Sequence, residues 1–165
     1  MCPKLVKILL LPILTSLLLI ACDSGEPLPK QHHPVAIESG DECHLCGMII
    51  IGFPGPKGEA FVRHNDRALK FCSTRDLFAW LLQPDVSGRV EAVYVHDMAK
   101  TSWENPQPEA LIDAHGAWYV IGSRRKGAMG STLASFGEKQ AAEQFAKEFG
   151  GKLVAFEDIT LQMLQ

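Results

Sequence analysis

Ala68-Leu-Lys-Phe-Cys-Ser-Thr-Arg-Asp-Leu-Phe-Ala-Trp-Leu-Leu-Gln-Pro84 decides the fold, because strand, cap and helix follow one another within it. Residues 68–72 read as a strand. Ser73 or Thr74 then caps a helix running to about Gln83, with Leu77, Phe78, Leu81 and Leu82 on one face, and Pro84 stops it. Upstream, residues 60–63 pair with this strand as a hairpin, with Asn65-Asp66 at the turn. Downstream, residues 91–96 alternate as a strand. The order is ββαβ. The second half repeats it: a strand over 117–121, a basic Gly-rich turn over 124–130, a strand over 131–136, and a helix over 138–149. Gly150-Gly151 ends that helix, and a strand over 153–156 closes the unit. The two helices overlay at an offset of about 64 residues, with Leu77 over Ala141 and little residue identity. The expected fold class is therefore α+β: two similar, pseudo-duplicated ββαβ units, over about 41–99 and 115–158.

The first residues belong to a different kind of segment. Lys4 and Lys7 precede fourteen mostly apolar residues, 8–21, too short to cross a bilayer as a helix. Leu19-Ile20-Ala21-Cys22 resembles a bacterial lipobox, which implies removal of residues 1–21 and lipid on Cys22. Asp23 then favours the inner membrane over the outer, as in many lipoproteins. Residues 22–40, polar and Pro-rich, read as lipid anchor and flexible tether, with His32-His33 incidental to it. The domain is expected over 41–165. Without residues 1–21 the chain holds 14 basic and 19 acidic residues, net −5, and no basic stripe. Nucleic acid is excluded as a partner on that ground.

Cys43-His-Leu-Cys-Gly-Met48 packs two thiols, an imidazole and a thioether into six residues. Thiolate with thioether selects Cu(I), whereas Zn(II) prefers thiolate, imidazole and carboxylate. A thioredoxin-type pair should open a helix, but Ile49-Ile-Ile-Gly-Phe-Pro-Gly-Pro56 forms none; residues 48–51 read as a short strand. Zinc lacks a second close Cys or His pair, with only Cys72 and His96 as distant partners. A structural disulfide, Cys43–Cys46, is the plain alternative for an exported chain. Cys72 leads into a helix N-terminus, which lowers a thiol pKa if exposed; a small buried apolar Cys is the commoner case there. Met98 sits at a strand end in His96-Asp97-Met98, and Met129 lies between small residues in a turn. No nucleophile elbow, paired carboxylates or phosphate-cradling glycine loop occurs, so no enzyme is indicated.

Together the stretches 41–48, 55–59, 71–76, 95–98, 117–120 and 127–131 are similar to the NosL family of copper-delivery lipoproteins, associated with maturation of nitrous-oxide reductase. The distinctive pair is Cys43-x-x-Cys46-Gly47-Met48 with Gly127-Ala128-Met129-Gly130. The resemblance implies a duplicated ββαβ fold, Cu(I) as ligand, and delivery to nitrous-oxide reductase aided by a membrane ABC-type complex. It places the chain on the periplasmic side of a membrane. The family's copper motif falls on Cys46 and Met48, with Met129 as expected third ligand and Met98 and His96 in reserve. Cys43 is left as either a metal ligand or half of a disulfide. The rival reading is an extracytoplasmic thiol–disulfide oxidoreductase or copper reductant using Cys43 and Cys46.

Overall fold

A computed structural model describes residues 31–165; the expected signal peptide and Cys22 lie outside the described residues. The chain runs β1 (Gly58–Val62), β2 (Asn65–Phe71), α1 (Thr74–Leu81), β3 (Val90–His96), β4 (Leu111–Asp113), β5 (Trp118–Ile121), β6 (Lys126–Gly127), β7 (Gly130–Ser131), β8 (Ala134–Phe136), α2 (Lys139–Phe149) and β9 (Lys152–Ala155). Two ββαβ units are present. In the first, β1 is central between β2 and β3, with β4 added beyond β3; in the second, β5 is central between β8 and β9. Every pairing is antiparallel.

Local chemistry sets the two helices. Ser73 is extended (φ −150°), and its hydroxyl accepts the Asp76 amide at 3.0 Å, satisfying one of the orphan donors at the start of α1. Leu77 and Phe78 put their side chains inward, each contributing about 1.5–3 kcal/mol by leaving water. Helix α2 has no such side-chain cap and ends at Gly150, whose φ of 75° favours glycine.

The residue period of two in the strands then builds layers. Ala60, Phe71, Val93 and Val95 meet Leu77 and Phe78 of α1 in the larger core cluster. Tyr119 and Val154, from one face of the second sheet, join the same cluster, and the Tyr119 ring stands edge-on to Phe78 at 5.1 Å. Val120, Ala134 and Phe136, from its other face, pack on Ala142 of α2. Helix α1 is thus enclosed between the two sheets, and α2 covers the outside of the second.

The outer face of the first sheet is covered by residues 32–37. His32 stacks on Phe61 at 4.4 Å, its carbonyl accepts the Tyr94 hydroxyl at 2.6 Å, and the Val35 amide donates to Glu59 Oε1 at 2.8 Å. Lys70 Nζ donates to the Ala36 carbonyl at 2.8 Å, and Ile37 is buried. The stretch expected to be free tether up to residue 40 is, over these residues, a strap bonded to the sheet. Glu59 is fully buried beneath it, and desolvation pushes its carboxyl up to about 7.

Other boundaries also differ from expectation. The β1–β2 turn is Arg63-His64, with His64 at φ 65°; Asn65 and Asp66 already belong to β2. Residues 48–51 form no strand, only a single bridge from Ile49 to Glu42. Strand β4 was not anticipated, since three residues carry too little period to read.

Candidate metal centre

The loop over 41–50 is tied shut by its own backbone. The Ile50 amide donates to Asp41 O at 3.0 Å, and the Cys43 amide to Met48 O at 2.8 Å. The Gly47 amide turns back to Cys43 O at 2.8 Å, which its φ of 73° permits and a side chain would oppose. This explains the missing strand: residues 48–50 return along 41–43 instead of joining a sheet. The loop is then fastened to β2, because the His44 amide donates to Lys70 O at 2.8 Å and Lys70 pairs with Asp41. Cys72 follows β2 by one residue, so this docking carries the loop's thiols to the β2–α1 junction.

Four donors meet there. Single ligand atoms of Cys43, Cys46, Cys72 and Asp76 all lie within 4.8 Å of one another. Cys46 Sγ is 3.7 Å from Cys72 Sγ, while the Cys72 and Cys43 thiols lie 3.4 and 3.8 Å from Asp76 Oδ2. Cys43, Cys72 and Asp76 are buried and Cys46 is exposed, so the cluster opens to solvent through one sulfur. All three cysteines are free thiols, without a Cys43–Cys46 disulfide.

The electrostatics suit a cation. Burial pushes the Cys72 thiol far above the ordinary range, and the charges of Cys43 and Asp76 push it further. Desolvation also raises the Cys46 thiol, opposed by the Met48 amide. Burial therefore outweighs the helix-terminus effect that would have lowered Cys72. A bound cation reverses the balance, since thiolates that repel Asp76 are each attracted to it.

The structure sorts the anticipated ligands. Cys46 and Cys43 lie in the cluster, and Met48 is half-buried against the core containing Cys43 and Cys72. Met129 is 45% exposed in the turn between β6 and β7. The base of that hairpin is fixed to the start of α1, where Thr74 Oγ1 meets Thr132 Oγ1 at 2.9 Å and donates to Leu133 O at 2.5 Å. Met98 packs instead with Val120, Ala134 and Phe136 in the smaller core cluster. His96 is buried, and its Nδ1 accepts the Lys57 amide at 3.0 Å. That places the ring proton on Nε2 and leaves neither nitrogen a lone pair for a cation. Desolvation, with nearby Lys57, lowers this imidazole to about 4, so it is neutral at pH 7.

Asp76 is not among the ligands expected from the sequence, where Cys72 stands only as a distant zinc partner or a helix-terminal thiol, with burial the commoner case. Their signal was available in Cys72-Ser-Thr-Arg-Asp76, a thiol and a carboxylate four residues apart across a helix cap. What brings them to Cys46 is the β1–β2–α1 topology.

Fold and cluster together place two buried thiols and a buried carboxylate behind one exposed thiol, a donor set that could hold a metal ion. The chain belongs to the NosL family, whose profile matches residues 34–164. It is 45% identical over 156 residues to the copper-binding lipoprotein NosL of Stutzerimonas stutzeri, covering 94% of this chain and 81% of that protein. It is 35% identical to the copper-binding lipoprotein NosL of Achromobacter cycloclastes, over 73% of this chain and 64% of that one. Among solved structures, the copper chaperone NosL from Shewanella denitrificans matches with a TM-score of 0.77 and 49% identity, covering 81% of this chain and 98% of that chain.

Proposed function

We propose that this chain is a lipid-anchored Cu(I) metallochaperone, held at the periplasmic side of a membrane through Cys22, that delivers copper to nitrous-oxide reductase with the help of a membrane ABC-type complex. The observation that carries the reading is the four-donor cluster with Cys46 as its single exposed thiol. Cys46 is the ligand an acceptor reaches first. Cys43 and Cys72 supply thiolate from the buried side, and Met48 and Met129 are the thioethers available to complete a low-coordinate site. Thiolate and thioether favour Cu(I), and few ligands leave room for an acceptor to attack before the first ones depart. Leu45, Ile49 and Ile51 are exposed on the same loop, supplying an apolar rim for the partner that takes the ion.

The name copper chaperone carried by the Shewanella denitrificans relative supports the transfer step. Three thiolates and a carboxylate also form an acceptable Zn(II) set, so the test uses both metals. Anaerobic competition against a Cu(I) chelator and a Zn(II) chelator is expected to show Cu(I) retained and then lost to copper-free nitrous-oxide reductase on mixing. Retention of copper in the presence of that acceptor, with no gain of reductase activity, would overturn delivery.

A further inference from the structure

The three thiols of the cluster are not equivalent. Cys46 Sγ lies 3.7 Å from Cys72 Sγ, while the Cys72 and Cys43 thiols share Asp76 Oδ2 as acceptor, at 3.4 and 3.8 Å. A disulfide needs about 2.05 Å between sulfurs, so this pair must close by about 1.7 Å. Cys46 can make that movement by turning its side chain, because it is the one exposed thiol of the three. Cys72 stays fixed at the β2–α1 junction, with no exposed surface. Cys43 has less freedom, since its amide is held by Met48 O and its side chain is buried.

We propose that Cys46 and Cys72 form a reversible disulfide that closes the site to copper. Its consequence for copper rests on the reading given above, but its chemistry does not. With a small disulfide such as oxidised glutathione, Cys46 thiolate attacks one sulfur, releasing one glutathione and leaving the other on Cys46. Cys72 sulfur then attacks Cys46 sulfur and expels the second glutathione, which takes up the Cys72 proton and leaves as the thiol. Two protein thiols are oxidised and one disulfide is reduced to two thiols. The product joins the loop to the start of α1 and leaves only Cys43 and Asp76 as donors in the cluster.

The test uses full-length protein in detergent, stripped of metal, reduced, and equilibrated in glutathione buffers of rising potential. Alkylation and peptide mass mapping read the linkage. The expected product joins Cys46 to Cys72, with Cys43 still alkylated. Cys43→Ser is expected to give the same linkage, and Cys72→Ser to retain glutathione on Cys46. The oxidised parent should bind Cu(I) at least about tenfold more weakly by chelator competition and recover on reduction. A dominant Cys43–Cys46 or Cys43–Cys72 linkage, no linkage at all, or undiminished Cu(I) affinity of the linked form each overturns the proposal. Failure of the reduced protein to bind Cu(I) would instead sink the copper reading, while the mapped linkage still decides the disulfide.

Discussion

In the first half of the chain, β2 passes into α1 through Cys72-Ser73; at the same place in the second half, β8 passes into α2 through Gly137-Glu138. The registers make the positions equivalent, since Phe71 pairs with Gly58 as Phe136 pairs with Trp118. One junction has a buried thiol, a serine cap and Asp76 one turn on. The other has glycine, whose amide donates to Asp97 Oδ1 at 3.2 Å, and no side-chain cap. The shared architecture therefore specifies where a site can be built, and the loop over 41–50 decides which junction receives one. A second loop of that kind is absent beside Gly137 among the described residues.

The largest expected effect removes what makes the first junction different. Cys46→Ser should weaken Cu(I) by more than about 100-fold, beyond the 10–100-fold typical of residues that merely support a ligand. Chelator competition measures it, and because Cys46 is exposed the unfolding free energy of the metal-free variant should stay within about 0.5 kcal/mol of the parent. Unaltered affinity would return the site to Cys43 and Cys72 alone.

The next test moves to a second pair of equivalent positions, Glu59 and Tyr119, both on the sheet face turned away from their own helix. Tyr119 faces α1 of the other half and donates to Ala114 O at 2.7 Å; Glu59 faces the strap, with Oε2 unpartnered. Glu59 keeps its proton in the fold up to about 7, whereas the unfolded chain gives it up near 4.5. Its contribution thus makes stability fall as pH rises from 4.5 to 7 and stay lower above. Glu59→Gln preserves an oxygen for Val35 and removes the charge. It should match the parent near pH 4.5 and exceed it by about 2 kcal/mol at pH 8 in urea unfolding. A difference independent of pH would mean that burial does not raise the Glu59 carboxyl above its value in the unfolded chain.

How much of this was legible follows from range. Helix α1, with Ser73, Leu77, Phe78 and Pro84, could be read because caps and apolar spacing lie within a few residues. The repeated order of elements could be read for the same reason. The β1–β2 turn was misplaced because Asn65, a good turn former, uses its side-chain oxygen to accept the Arg67 amide at 3.0 Å just inside β2. Residues 48–51 looked like a strand on apolarity alone, yet only Ile50 turns inward while Ile49 and Ile51 are exposed. The donor cluster was legible only in part: Cys43 and Cys46 stand out as a local motif, but Cys72, 26 positions beyond Cys46, is brought to them only by tertiary structure. His96 illustrates the reverse, since a plausible ligand by type is committed to a backbone amide.

Met129 offers a smaller and more diagnostic effect, because it belongs to the second half and would be that half's contribution to the site. Met129→Leu preserves size and apolarity while deleting the sulfur. It should weaken Cu(I) by about tenfold, about 1.4 kcal/mol, and leave stability unchanged because the side chain is largely exposed. An unchanged Cu(I) affinity would confine the site to the first half.

The smallest effect belongs to the silent junction. Gly137 has no positive φ, so alanine there meets no backbone objection and should gain about 0.4–1 kcal/mol by restricting the unfolded chain. Against that, a Cβ at this position would lie 3.1 Å from Asp97 Oδ2 and 3.4 Å from Ile112 Cδ1. The carboxylate has little room to give: Oδ1 accepts the Gly137 and Ala99 amides, and Oδ2 pairs with Lys100 at 3.3 Å. Crowding of this degree in a packed interior costs about 1–3 kcal/mol, which slightly exceeds the entropic gain. Gly137→Ala should therefore lower stability by about 1 kcal/mol in urea unfolding and leave Cu(I) affinity unchanged. A change in copper binding would show that the two junctions communicate through Asp97 and β3. An unchanged affinity would leave the second crossover as scaffold, with glycine kept for the room Asp97 requires.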